Sequence, residues 1–187
     1  MKAIVLYALQ NDFYIGGMLE HPHAAKIIQG IIPIIPQYDL VIIIKKEHPI
    51  NHPIFAANHP WRKPWQTINS NWGEMMLWPF HTIKGTFGAE LIPELLDAHE
   101  HPTLSVGLNP DLDYRNFFEI PSFKAIVEKN TITALHFAGF CFTEGIYQTA
   151  NQALSLGIKT LVLPSLTGSV PELKELHAQY LSKYGST

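Results

Sequence analysis

The sequence predicts an α/β protein in which a central parallel sheet is covered by helices on both faces, a three-layer α/β/α arrangement. Several short segments are continuously apolar, as expected of parallel strands that are buried on both faces. These apolar runs alternate with segments of helical spacing, which is typical of a parallel sheet. The 187 residues, 47% of them hydrophobic and 16% charged, suit one compact domain over residues 1–187.

The first half of the chain is predicted to contain two strands, one helix and a long irregular stretch. Residues 2–8 and 40–44 are apolar runs of the length of a buried strand. Residues 24–35 are apolar at helical spacing, and two prolines limit how far this helix can run. Residues 47–85 are crowded with proline, tryptophan and histidine, so we interpret them as an ordered excursion that carries functional side chains.

In the second half of the chain, residues 132–157 are predicted to form a strand, a turn and a helix. An apolar run ends at Gly139, a turn follows, and a helix begins near Gly145 and is closed by Gly157. In an open α/β sheet such a crossing lies at the carboxyl edge, where ligands bind. The other predicted elements are helices at residues 90–99, 116–128 and 171–184 and strands at residues 103–106 and 159–163.

Composition excludes several classes of function and sets an expected location. A net charge of −3 gives no electrostatic reason to expect binding to nucleic acid or to an anionic membrane. No apolar run approaches the roughly 20 residues that a membrane span requires, and no signal peptide is expected before the first strand. A single cysteine, Cys141, excludes an internal disulfide and fits a cytoplasmic protein.

Five short segments follow one another along nearly the whole chain. They are residues 10–13 (QNDF) with glycines at 16 and 17, residues 47–56 (EHPINHPIFA), residues 77–90 (LWPFHTIKGTFGAE), residues 109–113 (NPDLD) and residues 139–145 (GFCFTEG). Together these segments resemble the isochorismatase/nicotinamidase family of cysteine hydrolases. The resemblance implies the isochorismatase-like hydrolase fold and cleavage of an amide or a vinyl ether in a small planar substrate.

The resemblance also implies three catalytic side chains, and this sequence has none of them at the matching positions. A carboxylate on the first strand would accept the proton of a cysteine thiol, and a lysine on the third strand would lower the thiol pKa. Counting along the motifs places the carboxylate, lysine and cysteine at Ala8, Val106 and Gly145. We therefore predict a pseudoenzyme that binds a small planar or anionic ligand or a protein partner.

A rival interpretation is an active hydrolase of small amides or isochorismate-like substrates with a non-standard mechanism. Cys141 and Glu144 are displaced candidates for its catalytic groups, and water held by His48 and His81 is another. The structural explanations are that Cys141 is a small buried residue and that the helix dipole favours Glu144 at a helix N-terminus. Asp12 is expected to fix the first loop by bonding backbone amides.

The metal-binding loop that the resemblance implies is incomplete. His48 and His81 match two histidine ligands and His52 matches a further nearby histidine, but Lys46 stands at the aspartate position. An ammonium beside a divalent ion is repelled by several kcal/mol at an effective dielectric constant of about 20. Zinc and iron sites need three or more deprotonated ligands. We therefore expect no cofactor and packed, hydrogen-bonded histidines, with a vestigial zinc or iron site as the alternative.

The aromatic side chains that would form the walls of the implied pocket are present, whereas the catalytic side chains are missing. Phe13 and Trp78 match the positions that sandwich the planar substrate. Lys46 and His48 in such a pocket would favour an anion over a neutral amide. Because this family often forms oligomers, we also expect a homo-oligomer or pairing with a paralogue. The full predicted pocket comprises Phe13, Lys46, His48, Trp78, His81 and Cys141.

Overall fold

The molecule is built on a five-stranded sheet in which every neighbouring pair of strands is parallel. A computed structural model describes residues 1–182, and the side chains of all of these except residues 96–99. The strand order is β5-β2-β1-β6-β7, so the predicted α/β/α fold class with a central parallel sheet is confirmed. The strands are β1 (Lys2–Tyr7), β2 (Leu40–Lys46), β5 (Thr103–Val106), β6 (Ala134–Gly139) and β7 (Lys159–Thr167).

Helices flank this sheet and complete the three layers. The helices Ala24–Ile31 and Ile146–Ser155 both contact β6 and β7. Within residues 1–182, no helix has the length and apolar character needed to cross a bilayer. The four α-helices of the described part of the chain are α1 (Ala24–Ile31), α2 (Pro121–Lys129), α3 (Ile146–Ser155) and α4 (Lys174–Leu181).

Strand β1 is the middle strand of the five, with β2 on one side and β6 on the other. Five of its six residues are buried, as the apolar run predicts. Tyr7 pairs with Ile44 of β2 and with Gly139 of β6. A Cβ atom at Gly139 would lie 2.1 Å from the Tyr7 carbonyl oxygen, so this close approach requires glycine.

Several helix boundaries differ from the sequence prediction, and prolines account for most of the differences. The helix predicted at residues 24–35 ends at Ile31 and continues as a 3-10 helix, Ile32–Gln37, that contains two prolines. The segment predicted as a helix at residues 90–99 is a 3-10 helix, Pro93–Glu100, with non-helical backbone at Leu95.

The other two predicted helices are also split. Residues 116–128 form a 3-10 turn, Phe117–Glu119, followed by α2, whose first residue is a proline. Residues 171–184 form a 3-10 turn, Pro171–Leu173, followed by α4. The last two residues of that prediction, 183 and 184, lie outside the described residues.

The excursion at residues 47–85 contains a hairpin that the sequence analysis did not find. Strands β3 (Thr67–Ser70) and β4 (Gly73–Met76) pair antiparallel. Each has four residues and neither has a buried face along its length, so no periodic signal marks them. Strand β7 also runs beyond the predicted residue 163, past Pro164, which an edge strand tolerates.

Gln10 ties the excursion to the sheet and leads to a prediction about stability. Its fully buried amide accepts a bond from the Lys46 backbone N–H and donates to the carbonyls of Lys46 and Ala89, each at 2.7 Å. Substituting Gln10→Leu would leave three buried backbone groups without their partner. We expect the free energy of unfolding in urea to fall by about 2–4 kcal/mol.

The matched control is Gln179→Leu, which alters an exposed glutamine of α4 and should change stability by less than about 0.5 kcal/mol. A loss below about 1 kcal/mol for Gln10→Leu would show that the bridge is not needed to hold β2 and the segment around Ala89 together.

Candidate functional site

The positions that the resemblance assigns to the catalytic groups lie together at the carboxyl edge of the sheet. Ala8 follows β1 with a left-handed backbone (φ 56°), and its N–H donates to the Ile44 carbonyl at 2.9 Å. Val106 is the last residue of β5 and pairs with Lys46 of β2. Gly145 immediately precedes α3. All three are buried, and none carries an acid, an amine or a thiol.

The space beside Gly145 is filled by aromatic rings. A Cβ atom at this position would lie 2.6 Å from Cε1 of Tyr7 and 2.9 Å from Cζ of Phe117. The Tyr7 hydroxyl donates to the Glu144 carbonyl at 3.1 Å, and the Tyr7 and Phe117 rings meet edge to face with centroids 4.9 Å apart. A side chain at residue 145 therefore cannot be accommodated unless these rings move.

Three histidines of the excursion are packed against one another below this edge. The His48 ring centroid is 4.6 Å from that of His52 and 5.4 Å from that of His81. Burial, and secondarily neighbouring positive groups, lowers the pKa of His48 and His81 well below the usual value and that of His52 to about 4. All three imidazoles are therefore neutral near pH 7.

The hydrogen-bond partners of each imidazole show which of its two ring nitrogens carries the proton. His48 Nδ1 donates to the Gly107 carbonyl at 3.1 Å and His81 Nδ1 donates to the Pro79 carbonyl at 2.9 Å. His52 Nδ1 instead accepts from the N–H of Ile54 at 3.1 Å. In the neutral forms, Nε2 of His48 and His81 is consequently an acceptor, whereas Nε2 of His52 carries a hydrogen.

This arrangement does not fit a divalent metal ion. The His48 Nε2 lone pair faces the Tyr114 hydroxyl at 3.4 Å, and the His52 Nε2 position is protonated, so His81 alone of the three offers a free lone pair. A zinc or iron ion needs three or more such ligands. Among the residues that the structure describes, no group of three or more His, Cys, Asp and Glu side chains could hold a metal.

Lys46 lies where the histidines and the aromatic walls meet. Its side chain is fully buried, and Nζ is 4.8 Å from the centroid of Trp78, 5.8 Å from that of Tyr114 and 5.9 Å from that of Phe13. Its positive charge lowers the pKa of the three histidines in addition to the larger effect of burial on each. The chain thus places an ammonium within the aromatic pocket.

The residues predicted for the pocket are neighbours in the structure. The His81 ring lies 5.8 Å from Phe13 and 5.3 Å from Trp78 between centroids. Cys141 is close enough to Lys46 for the ammonium to act on its thiol. Every predicted pocket residue is at most 2% exposed, so a ligand reaches them only if the surrounding residues move.

Cys141, one of the two displaced catalytic candidates, is a poor nucleophile. The residue is 2% exposed and precedes a 3-10 turn in a left-handed conformation (φ 55°). Burial raises the pKa of its thiol to about 12, although Lys46 acts in the opposite direction. The thiolate that nucleophilic catalysis needs is therefore scarce at neutral pH.

Glu144, the other candidate, has a buried carboxyl and also lines a cavity. Burial raises the pKa of this carboxyl, while Lys46 and Arg115 lower it. Glu144 also borders a cavity of about 250 Å³ whose wall includes Thr143, Arg115 and Gln148. Glu144 thus lines the cavity and also interacts electrostatically with the buried ammonium of Lys46.

Asp12 accepts a hydrogen bond from a backbone N–H, as expected, and the donor is Thr82, so the bond fixes the first loop against the excursion. Tyr7 and Tyr114, which fill space around Gly145 and His48, were not among the predicted site residues. A single tyrosine within an apolar or a polar segment does not indicate from the sequence that it belongs to a functional site.

The curated proteins that this chain resembles are nicotinamidases. The chain is 34% identical over 144 residues to a nicotinamidase of Acinetobacter baylyi, an alignment that spans 77% of this chain and 64%, just under two thirds, of that relative. It is 26% identical to a nicotinamidase of Saccharomyces cerevisiae, covering 94% and 92% of the two chains. No protein-family model matches the chain.

A solved structure extends this likeness over the whole fold. An Acinetobacter nicotinamidase/pyrazinamidase superposes with a TM-score of 0.87 and 28% identity, covering 100% of this chain and 94% of that one.

The filled space beside Gly145 predicts that a cysteine cannot simply be reintroduced there. Gly145→Cys should lower the free energy of unfolding by about 1–3 kcal/mol, because its Cβ meets the Tyr7 and Phe117 rings. In a chain that carries Tyr7→Val, the same substitution should cost clearly less. A double-mutant cycle in urea measures this coupling, and additive effects of the two substitutions would contradict the steric explanation.

The environment of Cys141 predicts slow reaction with thiol reagents. With a thiol pKa of about 12, the thiolate population at pH 7 is roughly a thousandfold below that of an ordinary cysteine. We expect labelling by a maleimide or an aromatic disulfide to be at least that much slower in the folded protein than in urea. Rapid labelling of the native chain would instead support a reactive Cys141.

Proposed function

Because the chain belongs to the isochorismatase/nicotinamidase family, we propose that it binds a small planar ligand at the carboxyl edge of the sheet without attacking it through a thiolate. The observation that carries this proposal is the composition of the site. The aromatic walls Phe13 and Trp78 are packed around a polar cluster, whereas the positions matching the catalytic groups are Ala8, Val106 and Gly145.

The physical state of the remaining groups supports the same proposal. Thiolate chemistry needs a base close to the thiol and a depressed thiol pKa. Burial has the opposite effect on Cys141, and it also raises the pKa of the nearby Glu144 carboxyl. Burial therefore opposes the ionised form of both groups, and the ionised form is the one that attacks as a nucleophile or accepts a proton.

A second candidate function is hydrolysis of a small amide by a non-standard mechanism. The names of the similar proteins favour it, since the relatives from Acinetobacter baylyi and Saccharomyces cerevisiae are both nicotinamidases. In this chain the groups available for it are Cys141, Glu144 and the free lone pair of His81. Such a mechanism would begin with a neutral imidazole that accepts a proton from water.

The two candidates are separated by measuring binding and turnover on the same sample. We expect nicotinamide to bind, detected by ligand-observed NMR, and ammonia release to stay at the background rate. Trp78→Phe should weaken binding severalfold because it alters a buried wall, whereas Trp61→Phe, at a residue 99% exposed, should not. Ammonia release that disappears in Cys141→Ser or His81→Ala would establish the hydrolase instead.

A further inference from the structure

Residues 60–64 (PWRKP), which we call the Trp61 loop, present a large apolar side chain to solvent. All five residues are exposed, and Trp61 is 99% exposed. The backbone of Trp61 is left-handed (φ 63°), a conformation that costs free energy for a bulky residue and persists where the surrounding structure enforces it. A projecting indole of this kind is typical of an interface anchor, because tryptophan is enriched among the residues that dominate binding.

The Trp61 loop is held in place at both of its ends. The His59 ring donates from Nε2 to the Pro53 carbonyl at 2.6 Å, and the N–H of Arg62 donates to the His59 carbonyl at 3.2 Å. After the loop, the N–H of Trp65 donates to the Leu77 carbonyl at 2.7 Å. Because the backbone is already ordered, little conformational entropy is lost when the exposed indole enters a partner.

Positive charge accompanies the exposed indole. Arg62 and Lys63 follow Trp61 directly and are both exposed. Within residues 1–182, no ion pair of the described side chains involves either of them. Complementary charges at an interface steer the encounter and select the partner. The Trp61 loop therefore suits an apolar pocket that has carboxylates beside it.

The chain itself carries a pocket of this kind, which we call the β5 cavity. It has a volume of about 390 Å³, begins at the end of β5, and has Leu108, Leu112 and Ile120 in its wall. Leu112 is 62% exposed and Leu108 is 39% exposed, so apolar wall remains in contact with water. Since roughly 150 Å³ is enough for benzene, the β5 cavity has room for an indole ring.

Negative charge borders the β5 cavity. Glu119 and Asp113 line it, and Asp111 is an exposed residue of the same loop. Asp113 is held by Arg115, with Oδ2 and Nη2 2.7 Å apart, whereas neither Glu119 nor Asp111 forms an ion pair with another described residue. The charge of this border is thus opposite to that of the Trp61 loop.

The β3–β4 hairpin connects the Trp61 loop to the β5 cavity. The loop adjoins the open end of the hairpin, where Trp65 bonds Leu77. At the other end, Arg115 donates to the carbonyls of Trp72 and Glu74 at 3.1 and 3.0 Å. Strands of four residues span roughly 14 Å, so the two features belong to one region of the surface. A two-fold axis through such a region lets each copy donate its loop and receive the loop of the other.

We infer that the Trp61 loop of one copy of this chain inserts its indole into the β5 cavity of a second copy, and that the second copy makes the same contact in return. The basic residues of the loop then face the acidic border of the cavity. This inference is independent of what the carboxyl edge of the sheet binds. Each indole contributes roughly 150–250 Å² of buried surface, so the interface is small and the dimer is weak.

Sedimentation velocity of the full chain from about 1 to about 300 µM should show a monomer–dimer equilibrium with a dissociation constant on the order of 10 µM. Trp61→Ala should weaken dimerisation at least tenfold, because it removes the anchor. Leu112→Glu should weaken it to a similar extent from the other half of the contact. Leu156→Ala, the matched control, shortens an apolar side chain that is 56% exposed just after α3 and should leave the dissociation constant unchanged.

A charge exchange tests whether the loop meets the cavity. One variant carries Arg62→Glu and Lys63→Glu, and the other carries Asp111→Lys and Glu119→Lys. Each variant alone should stay monomeric, since like charges meet at both contacts. An equimolar mixture should associate within about threefold of the wild-type affinity, because both contacts again join opposite charges. All four residues are exposed, so unchanged melting temperatures are expected for both variants.

Three results would overturn the inference. The first is a wild-type chain that remains monomeric at about 300 µM. The second is a dimer that tolerates Trp61→Ala, or a mixture of the two charge variants that does not associate, since another surface would then form the dimer. The third is a monomer whose Trp61 loop binds vesicles of phosphatidylserine and phosphatidylcholine, which would make a membrane the partner instead of a second copy.

Discussion

Strand β1 has a parallel neighbour on each side, and this double pairing determines where every candidate side chain lies. The pairing of Tyr7 with Ile44 and Gly139 brings the ends of three strands to the same level. Glycine at position 139 is what permits the close approach of β6. As a result, the chain must turn away from the sheet at one edge, and the loops that do so carry the aromatic and histidine residues of the site.

Charge at this edge is governed by burial. Removal from water lowers the pKa of His48 and His81 and raises the pKa of Cys141 and of Glu144. Lys46 is different because no neutralising partner accompanies it within the described residues. The buried edge therefore holds a lysine with unsatisfied hydrogen-bonding capacity, which is the reverse of a site built from carboxylates to receive a cation.

Much of this fold follows from the sequence by simple reasoning. The apolar runs at residues 2–8 and 40–44 become strands β1 and β2 of the sheet, and Gly145 marks the start of α3 as its motif indicates. The proximity of Phe13, Trp78 and His81 also agrees with the motif order, because parallel strands deliver their following loops to one edge.

Other features depend on contacts between distant residues and could not be predicted. Tyr7 and Phe117 are far apart in sequence, and only the packing of the folded chain brings their rings together beside Gly145. The tautomer of each histidine depends on which backbone group faces it, such as the carbonyl of Gly107 or the N–H of Ile54. The absence of a partner for Lys46 Nζ in the described region is likewise a property of three-dimensional placement.

The ring of Tyr7 has an evolutionary consequence. It occupies the volume that a side chain at residue 145 would need, so substitutions at the two positions are epistatic and their order matters. A side chain at 145 is compatible with the present packing only if the Tyr7 and Phe117 rings shift or become smaller. Regaining a cysteine there by a single substitution is therefore opposed sterically, whereas two coordinated substitutions are not.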